Sequence, residues 1–278
     1  MGIGIQELQL MLTLWKDGHF QNCKSVIEIG SQGIHANHSQ VAAALERLGR
    51  FKRSDDNPKR IITAEEIYKS LGFEKYRCID ADGRLNSLVF DLNKDILHTY
   101  GYSEQFDLVT NHGTTEHCFD QMHAFQNIHN LCMPGGMMIH GLPFQGNLNH
   151  GHYNYQPKFF YDLAAANSYA LVGMYLNIHN TVGDITPYSD ELMNFLHMPP
   201  GTNMGLYVAL KKTRDEEFRI PFDGMYLESS LFKDEYKRDS KQFFPGARRD
   251  TTDITFMSST KIVKFLLRRI TRKLSRRG

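Results

Sequence analysis

No apolar run in the sequence approaches the roughly 18 residues that a membrane-crossing helix needs, so no transmembrane helix is expected. No basic stretch precedes an apolar one near Met1, so a secretory leader is not expected either. The chain opens Met1-Gly2, yet Gln6 stands where a myristoylation signal needs Ser or Thr. Cysteine is scarce: Cys23, Cys78, Cys118 and Cys132, with no CxxC pair. That excludes a disulfide framework and a zinc–thiolate centre, and implies reduced, buried thiols in a cytoplasmic protein. A Gly-x-Gly-x-x-Gly run is missing, as is the Gly-Lys-Ser/Thr ending of a phosphate loop, so neither a dinucleotide nor a nucleoside triphosphate is the expected ligand.

The 278 residues, 41% of them hydrophobic, suffice for one large domain with extensions. The net charge of +1 conceals an asymmetry. Eight basic residues and no acids follow Thr260, and subtracting them leaves −7 for the first 260 residues.

Helical spacing of apolar residues marks Ile5–Trp15, the segment after Ser39 (a candidate N-cap), and Thr63–Phe73. In the last of these, Thr63 with Glu66 forms a capping box and Gly72 ends the helix. Between such segments lie short apolar runs: "KSVIEI", bounded by polar residues, "YRCID" ending at Asp80, "SLVFDL" holding Asp91, and "FDLVTN" ending at Asn111. Further on come a helix over "EHCFDQMHAFQNIHNLC", a strand in "PGGMMIHGLPF", and a helix from Pro157. Two last strands follow, "ALVGMYLNIH" and "MGLYVALKK". Alternating strands and helices imply a doubly wound, mostly parallel α/β sheet of seven strands with helices on both faces. Ligands of such sheets bind beyond the carboxyl ends of the strands, where Gly30, Asp80, Asp91 and Asn111 fall.

The turn "SVIEIGSQG" places Glu28 two residues before Gly30. A carboxylate there repels a phosphate and attracts a cationic amine. The motifs "VIEIGSQG", "CID", "FDLN", "FDLVTNHGTTEH" and "PGGMMIHGLP", in that order, resemble those of class I S-adenosylmethionine-dependent methyltransferases, over about residues 24–211. The resemblance implies a Rossmann-like fold and S-adenosyl-L-methionine as cofactor. It implies that Glu28, Gly30, Ser31 and Gly33 line the methionine end. Asp80 would take the ribose hydroxyls, with Asp82 as the fallback, Asp91 and Leu92 would lie beside the adenine, and Asn111 would face the reacting centre. Gln32 departs from the pattern by standing where a glycine is usual. The separation of Gly30 from Asp80 is also long, which reads as an insertion over about 50–74.

Base-methylating relatives carry Asn/Asp-Pro-Pro-aromatic after the fourth strand. Here "NHGTTEH" has neither proline nor aromatic, so a small-molecule acceptor is expected and nucleic acid is not. If the acceptor is a hydroxyl, His112, His117 or His152 is the expected base. His140, Tyr153 and Asn154 are the expected acceptor contacts. A metal on His140, His150 and His152 is set aside, because magnesium prefers oxygen ligands. Domain limits are expected as a helix over 1–23, the methyltransferase domain over 24–212, an irregular extension over 213–260, and a basic amphipathic tail over 261–278. That tail suits an anionic membrane surface, so cytoplasmic residence with peripheral membrane contact is expected. The function expected is methyl transfer to an O or N atom of a sugar or other secondary metabolite. The alternatives are a catalytically silent scaffold and a methyltransferase of membrane-linked glycans or lipids.

Overall fold

The computed structural model describes residues 2–46, 62–178, 185–189, 192–193 and 202–228. The chain divides into two compact units, Met1–Tyr188 with Pro199–Asp234, and Ser189–Met198 with Glu235–Gly278. Everything below concerns the first unit. The tail 261–278 and residues 50–61 of the expected insertion lie outside the described residues.

In chain order the elements are β1 (Gly2–Ile3), α1 (Ile5–Lys16), β2 (Ser25–Ile29), β3 (Gly33–Ile34), α2 (His38–Glu46), α3 (Ala64–Leu71) and β4 (Lys75–Ile79). Then come α4 (Ile96–Tyr100), β5 (Phe106–His112), α5 (Gln121–Leu131), β6 (Cys132–Gln145) and α6 (Pro157–Ala166). The described chain closes with β7 (Tyr169–Ile178), β8 (Thr186–Pro187), β9 (Met204–Lys212) and α7 (Met225–Glu228).

The main sheet has seven strands in the order β4-β2-β5-β6-β9-β7-β8. The pairs β2/β4, β2/β5 and β5/β6 are parallel. β9 runs antiparallel to both β6 and β7. The chain leaves β2 towards β4 on one side and returns to β5 on the other, which opens a crevice at the carboxyl ends of β2 and β5. Strands β2 and β5 are buried almost throughout, as a sheet covered on both faces requires.

The helix caps follow from local sequence. Thr63 Oγ1 accepts from Glu66 N at 3.2 Å while the Glu66 carboxylate accepts from Thr63 N at 2.9 Å, and Gly72 is left-handed at φ 104°. α2 corrects one expectation. Its cap is Asn37, whose Oδ1 accepts from Gln40 N at 2.9 Å, because the Ser39 hydroxyl is itself bonded to that same oxygen. The expected helix from Glu116 is broken in two. Thr115–His117 forms a single 3₁₀ turn, and α5 restarts on the cap of Asp120.

The segment "SLVFDL" is not a strand. Only Leu88 touches the sheet, through one bridge to Ile79. Left-handed Leu85 and Asn86 swing the chain away, and Val89 is exposed. The seventh strand is instead β8. α1 packs Leu8, Leu10, Met11 and Leu14 into the main core, each such side chain contributing about 1.5–3 kcal/mol of burial. β1 runs parallel to β3, tying the start of the chain to the glycine turn.

Candidate active site

The glycine turn follows β2. Gly30 has φ +85°, and a Cβ there would stand 2.3 Å from Thr114 Oγ1, so only glycine fits. Thr114, just beyond β5, donates its hydroxyl to the Ile29 carbonyl at 2.6 Å and so ties the two strand ends together. The Gln32 side chain folds back under the turn. It is buried, and its amide nitrogen lies 3.3–3.5 Å from the Ile29 and Gly30 carbonyls and Thr114 Oγ1.

Glu28 is fully buried within β2. Tyr76 donates to its Oε2 at 2.7 Å, whereas Glu28 Oε1 has no hydrogen-bond partner among the described residues. Burial pushes its carboxyl up to about 7, against the lowering effect of the Tyr76 bond and of looser approaches by the Tyr68 hydroxyl and the Gln32 N–H. Gln32 Oε1 is likewise buried without a hydrogen-bond partner among the described residues. Glu28 is therefore a buried acid and not a solvated one at the strand end.

Asp80 comes to the turn from the end of β4. Its Oδ2 accepts from Ser31 N and Ser31 Oγ, both at 2.9 Å, and Oδ1 accepts from Asp82 N at 3.2 Å. Partial burial pushes its pKa up, but these bonds outweigh that and hold it below the ordinary carboxylate value. Asp82 faces away, accepting from Arg84 N. Gly33 lies in β3 against Gly2. Asp91 accepts from Asn93 N and Nδ2 in an Asx turn, and these bonds lower its pKa. The carbonyl of Leu92 accepts from Asn127 Nδ2 at 3.3 Å.

Beyond β5 and β6 lies a cleft of about 430 Å³. Its lining includes His112, Glu116, Gly141, His150 and Tyr207, and from the start of the chain Glu7. His112 is buried with both ring nitrogens unpartnered among the described residues, and burial lowers its pKa. It rests over Gly141, where a Cβ would stand 2.8 Å from His112 Nδ1.

Glu116 was not singled out by sequence, although the "GTTEH" run contained it. It is 1% exposed, neither carboxylate oxygen has a hydrogen-bond partner among the described residues, and burial raises its pKa to about 7. The 3₁₀ turn sets it beside His117, and the loop after β6 brings His150. In that loop Gly146, Asn147 and Asn149 adopt left-handed backbone, which glycine and asparagine tolerate.

The other expected residues fall elsewhere. His140 is a correction. It is 1% exposed, packed between Phe125 and Phe160 with ring centroids 5.6 and 5.2 Å away, and it lines no part of the cleft. Burial pushes its pKa down to about 3. Asn111 is fully buried and holds His140 Nδ1 and Thr115 Oγ1 through its amide. His152 stands against Phe119 outside the cleft lining, with its backbone N–H bonded to the Glu116 carbonyl. Tyr153 donates to the Phe119 carbonyl and Asn154 to the Gly146 carbonyl, and neither lines the cleft. A second depression of about 340 Å³ lies at the amino ends of the parallel strands, beside Glu104, His129 and Lys212, and is remote from the glycine turn.

No family model and no curated protein matches the chain. Among solved structures it is similar to StiE O-MT (14% identity, 84% of this chain and 80% of that one, TM-score 0.42). It is similar to the MycE methyltransferase of the mycinamycin biosynthetic pathway in complex with Mg and SAH (14%, 80% and 58%, 0.41). It is also similar to the Burkholderia thailandensis 1,6-didemethyltoxoflavin-N1-methyltransferase with bound S-adenosylhomocysteine (13%, 76% and 78%, 0.38). The fold is Rossmann-like. Its strand order, with three parallel pairs and an antiparallel β9, defines that fold.

Proposed function

We propose that the protein transfers a methyl group from S-adenosyl-L-methionine to an oxygen or nitrogen of a small molecule, a sugar or another secondary metabolite. One observation carries the reading. Two buried acceptor oxygens, Glu28 Oε1 and Gln32 Oε1, have no hydrogen-bond donor among the described residues at a single glycine turn on the carboxyl edge of the sheet. Orphaned acceptors of this kind suit a ligand that brings N–H donors and positive charge, such as the ammonium of a methionine moiety, and not a phosphate. That the structures similar to this chain include O- and N-methyltransferases supports the same direction.

The residues present fit the cofactor in a stated division. Glu28, Gln32, Gly30, Ser31 and Gly33 would hold the methionine end, Asp80 the ribose, and Asp91 with Leu92 the adenine. When bound, S-adenosylmethionine supplies a methyl group on a sulfonium, already activated for in-line displacement. The chain then has to orient the acceptor in the cleft and exclude water. His112 is the base this arrangement favours over His117 and His152, being buried, neutral near pH 7 and part of the cleft lining. It takes the proton that a hydroxyl or ammonium acceptor releases.

A second reading, a catalytically silent module, draws on the tight packing of Gly30 against Thr114 and the commitment of Asp80 to Ser31. Calorimetry with S-adenosylmethionine separates the two. Methyl transfer requires saturable binding and, with acceptor extracts and isotope-labelled donor, a labelled product. Binding without donor consumption across all acceptor pools leaves the silent module, and absence of binding sinks the enzyme reading.

A further inference from the structure

We propose that Glu116, His117 and His150 form a binding site for a divalent transition-metal ion of the zinc type, at the wall of the acceptor cleft. Each side chain offers one ligand atom, and these atoms all lie within 4.8 Å of one another. His150 Nε2 is 3.5 Å and His117 Nε2 3.8 Å from Glu116 Oε1. Ligand atoms about 2.1 Å from a tetrahedral ion stand roughly 3.3 Å apart, so small side-chain rotations close the set.

The carboxylate is the second, independent sign of a ligand. Glu116 is 1% exposed, yet both of its oxygens lack hydrogen-bond partners among the described residues. A buried carboxylate is costly unless it is paired or coordinates a metal. The two imidazoles are 37% and 49% exposed, so the site opens to solvent and an ion can enter.

The scaffold holds these groups in place by backbone contacts. His152 N donates to the Glu116 carbonyl at 2.7 Å, which pins the loop carrying His150 onto the 3₁₀ turn. Gly151 lies so close to Glu116 that a Cβ would meet its Cγ and carbonyl oxygen at 2.9 Å. His117 N donates to the Thr114 carbonyl at 3.0 Å. One carboxylate with two imidazoles selects zinc, iron, cobalt or nickel over magnesium and calcium, which favour all-oxygen sets. Three protein ligands leave a position open, and since Glu116 and His150 line the cleft, an acceptor oxygen can occupy it. That role rests on the methyl-transfer reading; the metal site itself does not.

The test uses the full chain without an affinity tag, stripped of metal and with no methyl donor present. Zn²⁺ is titrated against a chromophoric chelator, and Co²⁺ is followed by its visible absorption. One Zn²⁺ per chain is expected, with affinity reduced tenfold or more by His150→Ala, His117→Ala and Glu116→Gln. The exposed His152→Ala should leave affinity unchanged, a needed control in a chain with 13 histidines. Thermal melts establish that each variant is folded. Absence of saturable Zn²⁺ binding, or equal affinity in wild type and His150→Ala, overturns the site. A protein that holds Zn²⁺ yet transfers no methyl group refutes the methyl-transfer reading and leaves the site standing.

Discussion

Tyr76 donates a 2.7 Å hydrogen bond to one oxygen of Glu28, and the other oxygen of that buried carboxylate has no hydrogen-bond donor among the described residues. The half-satisfied acid sits one residue from the glycine turn. Glu28→Gln keeps the size and the Tyr76 contact but removes the charge. If the orphan oxygen receives the ammonium of S-adenosylmethionine, calorimetry should show affinity reduced tenfold or more, because a charge-assisted bond contributes about 1.5–3 kcal/mol. An affinity equal to wild type would remove Glu28 from the site.

The same residue shapes the pH dependence of stability. Its folded pKa, about 7, lies above its ordinary 4.5. Its protonated form is therefore favoured by folding. The associated stability is complete below pH 4.5 and is lost as pH rises through 7, by on the order of 3 kcal/mol. Denaturant unfolding of Glu28→Gln between pH 5 and 8 should show a flatter profile than wild type.

His140 acts in the opposite direction. Its folded pKa of about 3 lies below the ordinary 6.5, because a charged imidazole between Phe125 and Phe160 is poorly solvated. Its contribution is complete above pH 6.5 and is lost as pH falls towards 3. In acid titration His140→Leu should unfold at lower pH and less steeply than wild type, and superimposable curves would contradict this origin.

Gly141→Ala tests the placement of His112. The new methyl would lie 2.8 Å from His112 Nδ1 and 2.8 Å from the Tyr207 ring, so both buried rings must shift. Overpacking of this kind costs about 1–3 kcal/mol. Once an acceptor is known, kcat should fall while cofactor affinity stays unchanged. A kcat equal to wild type would argue against His112 as the base.

Lys212→Met tests a buried cation of structural use. Lys212 Nζ donates to the carbonyls of His129 and Cys132 at 3.0 Å each, serving the C-terminal end of α5. Methionine fills the volume but removes both bonds, and the His129 carbonyl keeps only the Cys132 N–H, for a loss of about 1–3 kcal/mol in chemical denaturation. Cofactor affinity should not change.

What the sequence determined by itself is local. The capping box of Thr63 and Glu66, Pro157 at the start of α6, the strands from Ser25, Lys75 and Phe106, and the glycine turn all follow from short-range pattern. Each depends on neighbours a few residues away, which a sequence displays directly. The failures share a different cause. "SLVFDL" carries strand-like residues, but a strand also needs a partner edge, and left-handed Leu85 and Asn86 deny it one. His140 reads as an acceptor contact only until the packing of α5 and α6 encloses it. The meeting of Glu116 with His150, the pairing of β1 with β3, and the Gln32 side chain folded under its own turn depend on which loops cross the carboxyl edge of the sheet. Periodicity reports that a residue is buried, whereas its partners are set by long-range packing, and only the tertiary structure supplies that.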